Sequence, residues 1–170
     1  MSRSGIFQFV LFIVYLLVQV LILRNLVLFN TAFCFLYIAF VLLLPIETNN
    51  LILMLVGFLM GFMVDIFYDS MGLHALATVL VAYLRNYWLG TITPQGGYES
   101  GATATLAANG VQWFLVYALP LVFTSCGFVF VEASGFTMFW YTMLKIVASL
   151  LFTMSVIVML QFLTPQRRRI

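Results

Sequence analysis

A bundle of membrane-spanning helices is the fold class this sequence predicts, on three observations. Of its 170 residues, 65% are hydrophobic and 7% are charged, against roughly 25% charged in an average soluble domain. Seven basic and five acidic side chains cannot clothe a soluble domain of this size, so most of the surface must face lipid. The apolar residues also come in continuous runs of about 18 or more, unlike the roughly ten-residue alternating segments of a membrane β-barrel. Finally, the connections between runs are short and polar. In lipid every backbone polar group must be paired within its own segment, which leaves helices. The expectation is a single all-α polytopic domain over residues 1–170, with six transmembrane helices at about 5–23, 26–44, 51–68, 73–90, 104–127 and 136–163.

The run 5–23 has nineteen residues and is about 28 Å long as a helix, enough to cross a bilayer core. Arg3 precedes it, but no small-x-small cleavage site follows, so it reads as a first membrane helix that stays. Arg24 and Asn25 end it, and Pro45 stops the second run. In the link Glu47, Thr48, Asn49, Asn50, either asparagine is a plausible helix cap. The turn Asp69, Ser70, Met71, Gly72 separates the third and fourth runs, and 91–103 is the longest polar segment. Pro120 predicts a kink in the fifth run. Glu132, Ser134 and Gly135 read as a link before the sixth, and the chain closes on Arg167, Arg168 and Arg169. With six spans both ends share one side, which holds Arg3, Arg85 and the three tail arginines, while the other side holds Arg24. The excess of basic residues predicts that both termini are cytoplasmic.

The most informative stretch is 57–72, GFLMGFMVDIFYDSMG. Steps of four residues drift by only about 40° around a helix, so Gly57, Gly61 and Asp65 share one face. Such a face offers close helix packing, either within the bundle or to a partner, and a carboxylate near the helix end. Two readings of Asp65 stand: a buried contact residue, or a helix-end carboxylate that reaches the interface or caps the following turn. Asp69 is expected at the interface. Lys145 in the sixth run also needs a partner or a route to water, and its stem can extend toward the surface, so an Asp65–Lys145 pair linking the third and sixth helices is expected. Arg85, in Arg85-Asn86-Tyr87-Trp88, reads as an interfacial anchor touching lipid. The tail arginines read as topology determinants that touch anionic lipid.

Several chemistries find no residues. A net charge of +2 gives no broad basic patch for nucleic acid. His74 has no second His or Cys at ligand spacing, so no metal is expected, and it reads as an exposed or capping side chain. Cys34 and Cys126 lie in apolar runs and read as buried free thiols. No nucleophile elbow, phosphate loop or dinucleotide fingerprint is present. Asp65 and Asp69 lie on one helix, not facing each other from two, as an intramembrane aspartyl protease would need. No catalytic residue and no cofactor is expected.

The ordered set Leu44-Pro45, Gly57, Gly61, Asp65, Gly72, Leu73-His74-Ala75-Leu76-Ala77 and Tyr83 resembles the rod shape-determining protein MreD family. That family carries a Gly-x-x-x-Gly run in its third span, an Asp four residues on, and a Gly in the following turn before a Leu- and Ala-rich fourth span. The resemblance covers about 42–86, with the remainder similar in hydropathy and length. Many members have a basic residue and a proline entering the second span, where this chain has Asn30-Thr31. The resemblance implies a non-enzymatic component of the bacterial inner membrane, part of the cell-elongation machinery. It implies binding to the single-span protein MreC, indirect work with MreB and the wall synthases, and a fold similar to the S-components of energy-coupling-factor transporters. On that basis Gly57, Gly61, Asp65, Asp69 and Gly72 are the expected partner-binding positions. The alternative is a substrate-binding S-component-like subunit of a small-molecule importer. Such subunits often carry Ala-x-x-x-Ala on the first span, and residues 6–23 here contain no alanine.

Overall fold

The computed structural model describes residues 3–23, 32–93, 96–98, 101–134 and 139–163, with only the backbone for residues 3, 4, 132–134 and 139. Among these, the elements are α1 (Arg3–Leu17), continued as a π-helical stretch (Val18–Leu23), α2 (Tyr37–Leu43), α3 (Asn50–Tyr68), α4 (Leu73–Ile92), α5 (Leu106–Asn109), α6 (Val111–Ser134) and α7 (Phe139–Leu163). The protein is all-helical, and an isolated β-bridge pairs Pro45 with Thr103. Among the described residues four helical stretches are long and apolar enough to cross a membrane: Gly5–Leu23, Asn50–Tyr68, Val111–Val131 and Trp140–Leu163.

α4 is the hub. It packs along α3 on one side and α6 on another; α6 in turn packs on α7, and α1 lies against α2 and α3. α4 is as long as its neighbours, but His74, Arg85 and Asn86 lower its hydropathy. Its polar residues face inward: His74, Thr78 and Arg85 are all buried. The outward faces of α1, α3 and α7 carry exposed Phe7, Leu55 and Leu151, as lipid-facing helices should.

The expected helix over 26–44 is not formed. Among its described residues only Tyr37–Leu43 is helical, too short at about 10 Å to span a bilayer. This short α2 is apolar all round and buried all round, as a helix without a polar face must be. The non-helical backbone before it finds partners in other helices. Phe33 N donates to Ser149 Oγ at 2.9 Å, Phe35 N to Thr153 Oγ1 at 3.1 Å, and Tyr37 N to Gln19 Oε1 at 3.3 Å. Gln19 Nε2 donates to Cys34 O at 3.0 Å. Irregular backbone at membrane depth survives where it is enclosed by protein in this way.

Other boundaries differ in smaller ways. Asn49 rather than Asn50 caps α3, its side chain accepting from Leu51 N at 3.0 Å. The fifth run is split by Gly110 (φ 86°), whose left-handed backbone separates α5 from α6. α6 then continues to Ser134, so Glu132 and Ser134 belong to the helix and not to a link. α6 also runs through Pro120. A proline frees the carbonyl four residues earlier, here that of Val116, and Trp88 Nε1 donates to it at 3.2 Å. Cys34 and Cys126 are free and buried, as expected. Gly135, Arg24, Asn30, Thr31 and the tail arginines Arg167, Arg168 and Arg169 lie outside the described residues.

Candidate functional site

The glycine face of α3 is turned inward, against α4. A Cβ at Gly57 would stand 3.3 Å from Thr78 O and 3.5 Å from Ala82 Cβ. At Gly61 it would stand 2.5 Å from Ala75 Cα and from His74 O, and collide with Thr78 Oγ1. Real Cβ atoms do not come that close to backbone, so at Gly61 the two helices touch main chain to main chain. The partner-facing expectation for Gly57 and Gly61 is therefore corrected: they seat α4.

Asp65 finishes the same contact. Its Oδ1 accepts from His74 N at 3.0 Å and from Ser70 Oγ at 2.5 Å, and its Oδ2 accepts from Ala75 N at 2.8 Å. The first turn of α4 has no cap of its own, because Gly72 at the N-cap position lacks a side chain. The carboxylate of α3 supplies it, satisfying two N–H groups that would otherwise be orphaned. The capping reading of Asp65 thus describes its position, and the carboxylate is buried. Between the helices the backbone turns sharply through left-handed conformations at Asp69 (φ 53°), Met71 (φ 43°) and Gly72 (φ 90°). Asp69 is exposed, and its N–H closes α3 on Asp65 O.

The expected Asp65–Lys145 pair is not made. Asp65 is engaged by three donors from its own helix hairpin, and α4 and α6 intervene between α3 and α7. Lys145 instead places Nζ 4.5 Å from the ring centroid of Tyr141 on its own helix, a cation–π contact.

A polar cluster that the sequence reading did not assemble lies beside this cap. His74 is buried rather than exposed. Its Nδ1 is 2.8 Å from the Tyr37 hydroxyl, and the rings of Phe35, Tyr37 and Tyr68 surround it at 5.3–5.8 Å. Tyr68 Oη accepts from Gln19 Nε2 at 2.9 Å. Gln19 sits in the π-helical stretch of α1, a local geometry that turns a side chain out of the regular helical sequence of directions. The readable signal belongs to the neighbouring backbone at Phe33 and Phe35: Ser149 and Thr153, which accept from it, are one turn apart on an apolar helix, a hydroxyl pair that marks an inward face.

Arg85 occupies the other end of α2 and is also a correction. It is fully buried, so it does not touch lipid. Nε donates to Tyr117 Oη at 2.7 Å, and Nη2 donates to Leu44 O at 2.5 Å, with Leu42 O and Pro45 O at 3.5 and 3.4 Å. Leu42 O and Leu44 O lie where α2 ends, among the carbonyls that a helix terminus leaves without an intrahelical partner. A cation there also meets the negative end of the α2 dipole. The residues 32–44 therefore run from the Gln19 and His74 end of the bundle to the Arg85 end, held at both.

On its outward side the α3–α4 hairpin leaves a groove of about 630 Å³. Phe58, Phe62 and Ile66 line it from α3, Leu76 and Val79 from α4, and Asp65 also borders it. Phe58 and Phe62 stack at 5.7 Å. A second cleft of about 280 Å³ opens between α1 and α3 over Phe40 of α2 and Leu44 just after it. Among the described residues no group of three His, Cys, Asp or Glu side chains is placed to hold a metal. No protein-family model, curated protein or solved structure matches this chain.

Proposed function

We propose that this chain is a non-enzymatic component of the bacterial cell-elongation machinery, binding a single-span protein of the MreC kind and helping to organise peptidoglycan synthesis with MreB and the wall synthases. The observation that supports this reading is the coherence of the α3–α4 hairpin. Five of the positions that carry the family resemblance, Gly57, Gly61, Asp65, Gly72 and Ala75, have a role in one local unit. Gly57 and Gly61 admit α4, Asp65 caps it, Gly72 makes the left-handed turn, and Ala75 is the backbone that Gly61 meets. A chance scatter of glycines and an aspartate in an apolar chain would not converge on one contact. The site residues act in this reading by building the hairpin, and its outward face is left for a partner.

In the same reading the chain crosses the bacterial cytoplasmic membrane six times, with 32–44 as a broken second crossing and both termini cytoplasmic. The kinship with the S-component fold belongs to this proposal too.

The test is affinity purification of the tagged chain from native bacterial membranes in mild detergent. Co-recovery of a single-span partner of the MreC kind, together with loss of rod shape when the chain is depleted, would support the elongation role. Recovery of ATPase subunits in its place would transfer the chain to the importer reading.

A further inference from the structure

Asp65 has more hydrogen-bonding capacity than α4 uses. An ionised carboxylate offers about four acceptor positions. Ser70 and His74 occupy Oδ1, and Ala75 alone occupies Oδ2. One acceptor position on Oδ2 is thus left without a donor among the described residues. Asp65 is also the one acidic side chain bordering the groove between α3 and α4, whose walls are otherwise apolar. Lipid chains can cover apolar walls, but they bring no donor to a carboxylate. A helix can do both at once.

We infer that this groove seats a transmembrane helix of a partner protein that carries a hydrogen-bond donor, a lysine or its equivalent, about one turn inside the membrane at the Asp65 end. The partner's apolar side chains fill the space beside the Phe58 and Phe62 stack, opposite Leu76 and Val79, while its donor takes the open position on Oδ2. This rests on the proposed scaffold function and names the surface and the chemistry through which the partner is recognised. It also revises where binding occurs: the partner meets the back of the α3–α4 hairpin, and Gly57 and Gly61 face away from it.

The experiment uses the full chain reconstituted in phosphatidylcholine vesicles with a photo-crosslinking residue at Val79. The probes are two synthetic Leu/Ala transmembrane peptides of about 20 residues, one with a single lysine one turn from its end, the other with leucine there. The lysine peptide is expected to cross-link roughly threefold to tenfold more, the range set by an interhelical hydrogen bond in a membrane. Equal cross-linking of the two peptides would overturn the donor requirement, and cross-links to lipid alone would overturn the groove as a helix site. A second variant, Val79→Trp, fills the groove without touching the cap, and its fold is checked by its unfolding midpoint. In the co-purification above, it should lose the single-span partner. If the partner is still recovered with a folded Val79→Trp chain, the groove assignment is wrong while the elongation role stands. If wild type recovers no such partner, the elongation role itself is wrong.

Discussion

Arg85 and Tyr117 form a relay that ends a helix neither belongs to. Arg85 Nε donates to the Tyr117 hydroxyl at 2.7 Å, and that hydroxyl donates to Leu42 O at 2.9 Å. The guanidinium itself reaches Leu44 O. Removing the hydroxyl leaves a buried cationic N–H without its acceptor, a loss of about 1–3 kcal/mol. Tyr117→Phe should lower the unfolding midpoint in detergent by a corresponding step. Arg85→Met should cost more, because it takes the donor from Leu44 O as well as from Tyr117 Oη. A wild-type midpoint for either variant would mean the relay contributes nothing.

The two glycines of α3 should differ sharply. Gly61→Ala forces a methyl against the α4 backbone, and overpacking of that kind costs about 1–3 kcal/mol. Gly57→Ala meets Thr78 O at 3.3 Å, where a shift of a few tenths of an ångström suffices, so it should cost less than about 1 kcal/mol. Thermal unfolding of the two variants side by side checks the order, and equal losses would contradict the close contact at Gly61.

Asp65 should behave as a cap and not as half of an ion pair. Asp65→Ala should lose about 2 kcal/mol, the upper end for a lost cap, and Asp65→Asn should lose less because one acceptor remains. Exchanging the charges, Asp65→Lys with Lys145→Asp, should restore nothing relative to Asp65→Lys alone. Recovery of expression and stability in the double variant would show that the two side chains meet after all.

The hydroxyls of α7 hold the backbone ahead of α2. Ser149→Ala and Thr153→Val each strip an acceptor from a main-chain N–H of the non-helical segment, costing about 1–3 kcal/mol apiece for a buried unpaired donor. Hydrogen exchange at Phe33 and Phe35 should accelerate in both. Exchange as slow as in the wild type would argue that these amides have other partners.

Much of this architecture was legible in the sequence because hydropathy and turn residues act locally. The runs at 5–23, 51–68 and 73–90 became α1 with its π-helical continuation, α3 and α4 within two residues at either end. That Gly57, Gly61 and Asp65 share a face also follows from helix geometry alone. What that face meets does not, since a close-packing strip reads the same whether its neighbour is α4 or another protein. The second run failed for a different reason. Apolar composition predicts burial in lipid or in protein equally well, and here the backbone of Phe33 and Phe35 is satisfied by side chains more than a hundred residues away. Arg85 was misplaced by the same ignorance. A cation near the end of an apolar run normally reaches for water, unless a helix terminus is buried beside it, and no local pattern announces the short α2.

The dispersed anchoring of residues 33–44 also sets an order of assembly. Leu44 meets Arg85, synthesised 41 residues after it, while Phe33 meets Ser149, synthesised 116 residues after it. While the ribosome is still producing α3, this segment has Gln19 of the preceding helix but neither Arg85 nor the α7 hydroxyls, and seven helical residues cannot hold a place in the bilayer alone. The interior of the bundle is therefore completed last, when α7 arrives, and a nascent chain cut short before Ser149 would retain its outer helices yet lack a closed centre. Quality control that recognises exposed backbone within the membrane would sense truncation of this protein at residues 33–44, not at its cut end.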